Sequence, residues 1–273
     1  MEHFVCPVCS EKLNLTENTY TCKNNHCFDK AKSGYVNLLR SQVSGKKRHG
    51  DDKMMIRART EFLEKGYYQP LLDGILEECA KLETKKVHLC DIGCGEGWYT
   101  DGVFKFLRSK DQVVQIEGID ISKDALTAAA KRNKQIGFAV ASISSLPIES
   151  ESVDILLNLF APFDAGEFAR VLKTGGIWLK AIPLEKHLFS LKSAIYENPY
   201  ENEVKIESYD GFELVGQKKI CSRITLENSE QIENLFKMTP YYYKTGIKDQ
   251  EKLKKLDTLT TEIEFCILSY QKK

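Results

Sequence analysis

One short run of residues has the composition of a ligand-binding turn. It reads Cys90-Asp91-Ile92-Gly93-Cys94-Gly95-Glu96-Gly97. The apolar segment 87–90 before it predicts a buried strand, and the segment 98–107 after it predicts a helix. A chain that passes from strand to helix here must turn sharply and bring its backbone close to a bound molecule. Glycine permits both, because it lacks Cβ and tolerates a positive φ angle.

The spacing of the glycines distinguishes between cofactors. A dinucleotide-binding fold has the pattern G-x-G-x-x-G and aims a helix N-terminus at a pyrophosphate. Here the glycines stand at 93, 95 and 97, and Asp91 precedes them. This arrangement resembles the cofactor turn of class I S-adenosylmethionine (SAM) methyltransferases. SAM has no phosphate, but a carboxylate beside the turn suits its ammonium group. A tight turn with incidental glycines is the alternative interpretation.

A second set of residues has the spacing of a zinc site. Cys6, Cys9, Cys22 and His26 form the pattern C-x2-C-x12-C-x3-H. Two close pairs of such ligands can close a tetrahedron around one Zn²⁺ and leave no position for water, so the ion is expected to be structural. Its binding would supply folding free energy that about 30 residues cannot obtain from their own core. Cys27 is an alternative fourth ligand, and four reduced core residues are the other interpretation.

The composition is that of a soluble globular protein. The 273 residues are 42% hydrophobic and 29% charged, and no apolar run reaches the roughly 18 residues that cross a bilayer. Segment 1–6 lacks the features of a signal peptide. Nine cysteines without such a signal indicate a reducing compartment, so a cytoplasmic location is expected.

Positive charge is concentrated at the front of a chain whose net charge is zero. Residues 1–60 contain 11 Lys/Arg and 6 Asp/Glu. The candidates for phosphate contacts are Lys46, Lys47, Arg48, Arg57 and Arg59, in a polar connector and a predicted helix at 53–64. A polyanion is therefore expected to bind there. A plain exposed linker with chance asymmetry of charge is the alternative.

Strands and helices alternate from about residue 70, which predicts an α/β fold with the doubly wound, Rossmann-like sheet of class I SAM methyltransferases. Strands are predicted at 87–92, 113–119, 138–141, 153–159, 176–182, 212–225 and 261–270, with helices at 123–133 and 166–172. The last two strands would form an antiparallel hairpin at the sheet edge. The predicted domains are a zinc-binding module at 1–38, a basic connector and helix at 39–69, and a methyltransferase domain at 70–273.

Ligands of such sheets bind at the carboxyl ends of the strands, where further candidates lie. Asp120 ends the second strand, and its carboxylate can hold both ribose hydroxyls. Ser142 follows the third strand, where adenine contacts are expected. Phe160 and Pro162 follow the fourth strand, beside the expected transfer site.

In their order, the zinc pattern, the connector and the cofactor turn resemble the large-subunit (23S) rRNA guanine-N1 methyltransferases almost end to end. The segments that carry the resemblance are Cys6-Pro7-Val8-Cys9, Gly34-Tyr35-Val36-Asn37-Leu38-Leu39, Arg57-Ala58-Arg59, Phe62-Leu63, Gly66-Tyr67-Tyr68-Gln69-Pro70-Leu71, the cofactor turn, Phe160-Ala161-Pro162, His187-Leu188 and Met238-Thr239-Pro240. No late segment is specific alone; their order and spacing together are.

The resemblance implies roles for individual residues. The implied zinc ligands are Cys6, Cys9, Cys22 and His26. The cofactor contacts implied by the resemblance and by the strand ends are Tyr68, Asp91, Gly93, Gly95, Glu96, Tyr99, Thr100, Asp120, Ser142 and His187. Tyr68 and His187 depend on the resemblance alone, because their own contexts indicate a core aromatic residue and a helix start.

The resemblance also implies methyl transfer from SAM to ring N1 of a guanine in a hairpin loop of 23S rRNA. N1 carries a proton, so a general base or stabilisation of O6 should help. His187, Asp164 and a carbonyl near Phe160 are weak candidates for that base. N1 lies on the Watson–Crick edge, so the guanine must be unpaired or flipped out, and Phe160 and Pro162 could stack on it.

Two other functions fit parts of the pattern. A small-molecule SAM-dependent methyltransferase with a structural zinc module predicts no RNA binding and a closed apolar pocket. A non-enzymatic zinc RNA-binding protein predicts damage to the cofactor turn, whereas Asp91, Gly93, Gly95 and Asp120 are present. The resemblance leaves open which guanine of the loop is modified, a choice that affects macrolide-type antibiotic contacts. Exposed aromatic and basic surfaces would allow a homodimer.

Overall fold

The computed structural model describes residues 4–40 and 50–273, so the connector residues Lys46, Lys47 and Arg48 lie outside the described residues. The front of the chain forms a small antiparallel sheet. Its strands are β1 (Asn14–Thr16), β2 (Thr19–Thr21) and β3 (Cys27–Asp29), in that spatial order. β2 is therefore the central strand of a three-stranded ribbon.

A second sheet of eight strands forms the body of the molecule. Its parallel strands are β4 (Tyr35–Asn37), β5 (Lys86–Ile92), β6 (Val113–Asp120), β7 (Gly137–Val140), β8 (Val153–Leu159) and β9 (Leu172–Pro183), and its antiparallel strands are β10 (Phe212–Leu226) and β11 (Leu259–Lys272). The spatial order is β10-β11-β9-β8-β5-β6-β7-β4. The predicted doubly wound sheet with its antiparallel edge hairpin is confirmed.

The predicted boundaries of the large-sheet strands agree with the observed ones to within two residues, except at the start of β9, where the difference has a local reason. β9 begins at Leu172 rather than at 176, and its pairing with β8 passes from Val153↔Leu172 directly to Ile155↔Ile177. The extra residues on β9 form a bulge that contains Gly175 at φ 79°. A glycine there avoids the steric cost of a left-handed conformation.

Helices cover the sheet and the carboxyl edge of its strands. They are α1 (Lys53–Glu64), α2 (Gln69–Ala80), α3 (Trp98–Ser109), α4 (Lys123–Arg132), α5 (Ala165–Val171), α6 (Phe189–Ile195), α7 (Ser229–Lys237), α8 (Tyr241–Lys244) and α9 (Ile247–Leu253). Asp52, Ser122 and Asp164 cap α1, α4 and α5 by accepting a backbone N–H. None of the helices within 4–40 and 50–273 combines the length and apolar character that a bilayer crossing needs.

The helices inserted between the last two strands lie at the carboxyl edge of the sheet. β11 runs antiparallel to β9, and Phe265 pairs with Pro183 at the end of β9. The first residues of β11 therefore project beyond β9, and α7, α8 and α9 lead into them. α1 packs against α7. These elements form the wall above the strand ends.

The ribbon shares a hydrophobic core with one face of the large sheet. Phe4, Leu13 and Tyr20 belong to the same buried cluster as Ile119 and Ala139. The Val5 N–H donates to the Pro147 carbonyl at 2.9 Å, and β4 pairs with β7. Residues 35–37, which lie in the predicted zinc module, are thus an edge strand of the large sheet.

Candidate cofactor site and zinc cluster

Four potential metal ligands lie in one small cluster. The ligand atoms of Cys6, Cys9, Cys22 and His26 all lie within 4.8 Å of one another. Cys9 Sγ is 3.7 Å from Cys22 Sγ and 3.4 Å from His26 Nδ1. Tetrahedral zinc with three thiolates and one imidazole separates sulfur atoms by about 3.8 Å and sulfur from nitrogen by about 3.5 Å. The donor set and its distances therefore fit one structural zinc ion.

The local backbone explains why His26 rather than Cys27 faces the cluster. Asn25 adopts a left-handed φ of 62° and donates its N–H to the Cys22 carbonyl, which closes the turn and directs His26 inward. Cys27 is exposed, and its Sγ donates to the Asn25 carbonyl. In the first pair of ligands, Cys6 and Cys9, a backbone hydrogen bond from Glu11 lowers the pKa of Cys9 to about 6. A low pKa suits a thiolate ligand.

The glycine turn has the geometry that its spacing predicted. Gly93, Gly95 and Gly97 have φ angles of 80°, 57° and 78°, all in the left-handed region. A Cβ at Gly93 would lie 2.2 Å from Ala161 Cβ, so this position admits glycine alone. α3 begins directly after Gly97. The turn therefore brings its own backbone against the loop that follows β8.

Two carboxylates are fixed on either side of this turn. Asp120 accepts the Gly95 N–H at 3.0 Å and the Ser122 N–H at 2.8 Å. Asp91 accepts the Thr100 hydroxyl at 2.6 Å. Burial raises the pKa of both carboxyl groups. Thr100 thus holds Asp91 in place, and the turn and the ribose candidate Asp120 are joined by a direct hydrogen bond.

Two buried polar atoms beside the turn fit a bound cofactor. Within the part of the chain that the structure describes, Glu96 Oε1 and the Tyr99 hydroxyl have no hydrogen-bond partner. Buried polar groups without partners are costly, so each calls for a ligand group. SAM offers an ammonium and ribose hydroxyls to an acceptor, and a carboxylate to a hydroxyl donor. We call the space at the strand ends beside the glycine turn, Asp91 and Asp120 the cofactor crevice. Its groups therefore fit this cofactor.

Tyr68 and His187 form a buried pair in the crevice wall. The Tyr68 hydroxyl lies 3.4 Å from His187 Nε2, and the Glu264 N–H donates to His187 Nδ1 at 3.2 Å. Nδ1 is therefore the acceptor, and the proton belongs on Nε2. Burial lowers the pKa of His187 to about 3. Its lone pair is occupied, which argues against the general-base role predicted as a candidate.

The loop after β8 presents an aromatic ring at the crevice. Phe160 has a left-handed φ of 59° and is 49% exposed, and its ring centroid lies 5.1 Å from that of Phe265. Non-glycine residues in this conformation store strain, which is concentrated at functional sites. The Asn158 amide donates to the Ile92 and Pro162 carbonyls. It ties the glycine turn to the loop, a positioning role that the sequence did not assign.

The remaining candidates take different positions. Ser142 follows β7 directly, and its hydroxyl accepts the Ser144 N–H at 3.3 Å. Asp164 caps α5 by accepting the Glu167 N–H. Arg57 and Arg59, predicted together as phosphate contacts, differ: the side chain of Arg57 is 79% exposed, whereas that of Arg59 is 24% exposed and points toward the cofactor turn. Helical residues two apart point about 200° apart, a signal available in the sequence.

The fold and this crevice define a class I SAM-dependent methyltransferase that carries a structural zinc module. Comparison with protein families agrees with this class. Residues 4–47 match the family model described as "RlmA, N-terminal", and residues 89–176 match one described as "Methyltransferase domain".

Similarity to individual proteins extends over most of the chain. The 23S rRNA (guanine(748)-N(1))-methyltransferase of Streptomyces fradiae is 30% identical over 230 residues, which cover 82% of this chain and 80% of the relative. Two relatives with the provisional name 23S rRNA (guanine-N(1)-)-methyltransferase are also similar. The Bacillus subtilis (strain 168) protein is 27% identical across 97% of this chain and 95% of its own length, and the Micromonospora griseorubida protein is 33% identical across 70% and 69%. The chain belongs to the family of 23S rRNA guanine-N1 methyltransferases.

Proposed function

We propose that this protein transfers a methyl group from SAM to ring N1 of a guanine in a hairpin loop of 23S rRNA. The observation that carries the proposal is the match to the Streptomyces fradiae enzyme over 80% of that enzyme's length. The fit of the crevice to SAM supports it. The rRNA substrate and the reducing chemistry of a cysteine-ligated zinc site both suit the cytoplasm, where we propose that the protein acts.

The residues assigned to the cofactor follow from the contacts of the crevice. Asp120 would hold the ribose hydroxyls, and Asp91 and Glu96 would face the ammonium group. The glycine turn and Ser142 would line the nucleoside, and Tyr68, Tyr99, Thr100 and His187 would complete the wall. When bound, SAM supplies a methyl group already activated by its sulfonium, so the protein mainly positions the acceptor and excludes water. Cys6, Cys9, Cys22 and His26 would hold the zinc ion.

The target guanine is expected at the loop after β8. Phe160 offers an exposed ring on which a flipped-out base can stack. The bond between N1 and its proton must break as N1 bonds to the methyl carbon. Because the lone pair of His187 Nδ1 is occupied, the candidate proton acceptors that remain are the carboxylate of Asp164, four residues after Phe160, and a backbone carbonyl near Phe160.

Exposed aromatic side chains at and near the wall above the strand ends suit contacts with RNA. Tyr243 and Tyr200 are exposed, and Tyr243 donates to Asp52 at the point where the basic connector ends. Aromatic side chains beside a basic segment can stack single-stranded bases and contact phosphates.

The functional division of the chain follows the same lines. We assign zinc binding to 1–38, RNA contacts to the connector and helix at 39–69, and catalysis to 70–273. β4 nevertheless joins the first part to the large sheet. A homodimer stays a prediction.

The proposal is tested by methyl transfer from labelled SAM to unmodified large-subunit rRNA, with the product mapped by reverse-transcription stops. N1-methylguanine blocks Watson–Crick pairing, so a stop in one hairpin loop identifies both substrate and base. Asp120→Ala should lose incorporation, because its ribose contact is removed. Wild-type protein that binds SAM but labels no rRNA would contradict the proposal and favour a small-molecule substrate.

A further inference from the structure

We propose that Arg59 binds the carboxylate at the amino-acid end of the cofactor, and that the hydroxyls of Tyr99 and Tyr68 donate to the same carboxylate. The inference rests on the proposed use of SAM and deepens it. It gives Arg59 a role in cofactor binding rather than in contacts with RNA phosphates.

The position of Arg59 is the first observation. Its Nη1 lies 3.4 Å from the place that a Cβ at Gly95 would occupy, so the guanidinium rests against the middle of the cofactor turn. On its other side it pairs with Asp51 at 2.5 Å. The Asp51 carbonyl accepts the hydroxyl of Ser122, the residue that also binds Asp120 through its N–H. The ion pair with Asp51 and the contact with the glycine turn therefore hold the Arg59 side chain at the cofactor crevice.

The charge of the crevice is the second observation. Asp91, Glu96 and Asp120 suit the cationic groups of SAM but repel its carboxylate. Burial lowers the pKa of Arg59, but Asp51, Glu96 and Asp120 outweigh burial and raise it, so the guanidinium stays charged. A guanidinium has five N–H donors in a fixed plane, and one carboxylate occupies only part of them. Arg59 can therefore hold Asp51 and a second carboxylate together.

Two hydroxyl donors near Arg59 are the third observation. The Tyr99 hydroxyl is buried and has no partner among the described residues. His187 Nε2–H faces the Tyr68 oxygen, which leaves the Tyr68 O–H free to donate elsewhere. Burial raises the pKa of both phenols, and the nearby charge of Arg59 opposes this rise. One cation and two neutral donors that converge in this way form a subsite for a carboxylate.

The test compares two ligands that differ in the amino-acid end, with RNA absent. Isothermal titration would measure the affinity of S-adenosylhomocysteine, which has the carboxylate, and of 5′-methylthioadenosine, which lacks the whole amino-acid end. Arg59→Gln should weaken S-adenosylhomocysteine about 10–100-fold, as expected for lost hydrogen bonds to a charged group. It should leave 5′-methylthioadenosine unchanged, because that ligand makes no contact with Arg59.

Two further variants separate the subsite from other roles. Arg59→Lys keeps the positive charge but loses the planar pair of donors, so its affinity for S-adenosylhomocysteine should fall between wild type and Arg59→Gln. Lys65→Gln removes one charge at the exposed end of the same helix and should bind both ligands like wild type. The inference would be overturned if Arg59→Lys bound S-adenosylhomocysteine with wild-type affinity. It would also be overturned if Arg59→Gln lost affinity equally for both ligands. Wild-type protein that binds neither ligand would instead overturn the proposed function, and the inference with it.

Discussion

We expect the charge state of one buried carboxylate, Asp91, to couple cofactor binding to pH. Asp91 is 1% exposed, and burial raises its pKa to about 7, although the Thr100 hydroxyl opposes this shift. In the proposed site, Asp91 faces the ammonium group of the cofactor, and that group favours the ionised carboxylate. Binding below pH 7 would then release a proton, so we expect the affinity to fall as the pH falls.

We expect the affinity for S-adenosylhomocysteine to drop by up to about tenfold per pH unit below pH 7 and to level off above it. Asp91→Asn removes the titrating group, so its affinity should be lower at pH 8 and nearly independent of pH between 5.5 and 8. Isothermal titration across this range measures both. An unchanged slope in Asp91→Asn would assign the titration to another group.

Two substitutions at Phe160 can distinguish the cost of its backbone strain from the contribution of its ring to RNA binding. A left-handed conformation costs a non-glycine residue roughly 1–2 kcal/mol, and glycine avoids most of that cost. Phe160→Gly should therefore be more stable than Phe160→Ala. Both variants lose the ring, and base–aromatic stacking contributes about 1–3 kcal/mol per base. Both should raise the KM for rRNA about 5–150-fold and leave the affinity for S-adenosylhomocysteine unchanged. Normal KM values would place the guanine elsewhere.

Some roles at this scale were predictable and others were not. The conformations of Gly93, Gly95 and Gly97 follow from the pattern, because only glycine tolerates three positive φ angles in five residues. The hydrogen bond that occupies His187 Nδ1 comes from Glu264, 77 residues away in sequence. Likewise, helix geometry predicts that Arg57 and Arg59 point in different directions, but which of the two faces the cofactor turn depends on how α1 docks. Local patterns carry no information about such distant contacts.

At the scale of elements, the parallel strands β5 to β9 were predictable because each contains a stretch of mostly buried, apolar residues. α1, α4 and α5 were equally readable, because Asp52, Ser122 and Asp164 cap them. β4 has three residues and pairs with β7, about one hundred residues later, so no local signal marks it. The short helices α6, α8 and α9 have too few turns to show a period.

A buried ion pair joins two central strands, β5 and β6, and we expect it to make stability depend on pH. His88 in β5 lies 2.5 Å from the Glu117 carboxylate in β6, and its Nδ1 lies 2.7 Å from the Ser152 carbonyl ahead of β8. Burial lowers the pKa of His88, but the hydrogen bond and charge of Glu117 outweigh burial and raise it. This stabilisation is therefore fully present below the unfolded value of about 6.5 and is lost as the pH rises through the folded pKa.

We expect His88→Leu to lower the free energy of unfolding by about 3–5 kcal/mol, because it leaves Glu117 buried without this partner. The double variant His88→Leu/Glu117→Leu should recover much of that loss and should lose stability less steeply above pH 7 than wild type. Urea unfolding between pH 5.5 and 9 measures both effects. A double variant as unstable as His88→Leu would show that the pair contributes more than charge balance.

At the scale of the whole molecule, the zinc module is part of the structural support of the catalytic sheet. Cys6 and Cys22 lie in the same buried cluster as Ala139 in β7 and Ala141, which directly follows β7. β4 extends the sheet beyond β7, and the Leu38 N–H donates to the Val140 carbonyl at 2.9 Å. Ser142, the candidate adenine contact, follows directly. These contacts couple the zinc module to the methyltransferase sheet.

Cys22→Ser should release the zinc ion and loosen both the ribbon and the edge of the large sheet. Zinc bound to the folded module contributes directly to folding, and each kcal/mol lost lowers Tm by about 2–4 °C in a domain of this size. Backbone hydrogen exchange should become faster in β4 and β7, at 35–37 and 137–140. It should not change in β9 and β11, which lie toward the other edge of the sheet. Cys27→Ser is the matched control: Cys27 is exposed and outside the cluster, so zinc content and exchange should stay as in wild type. Zinc loss in Cys27→Ser would displace His26 from the ligand set, and unchanged exchange at 137–140 in zinc-free Cys22→Ser would make the module an independent unit.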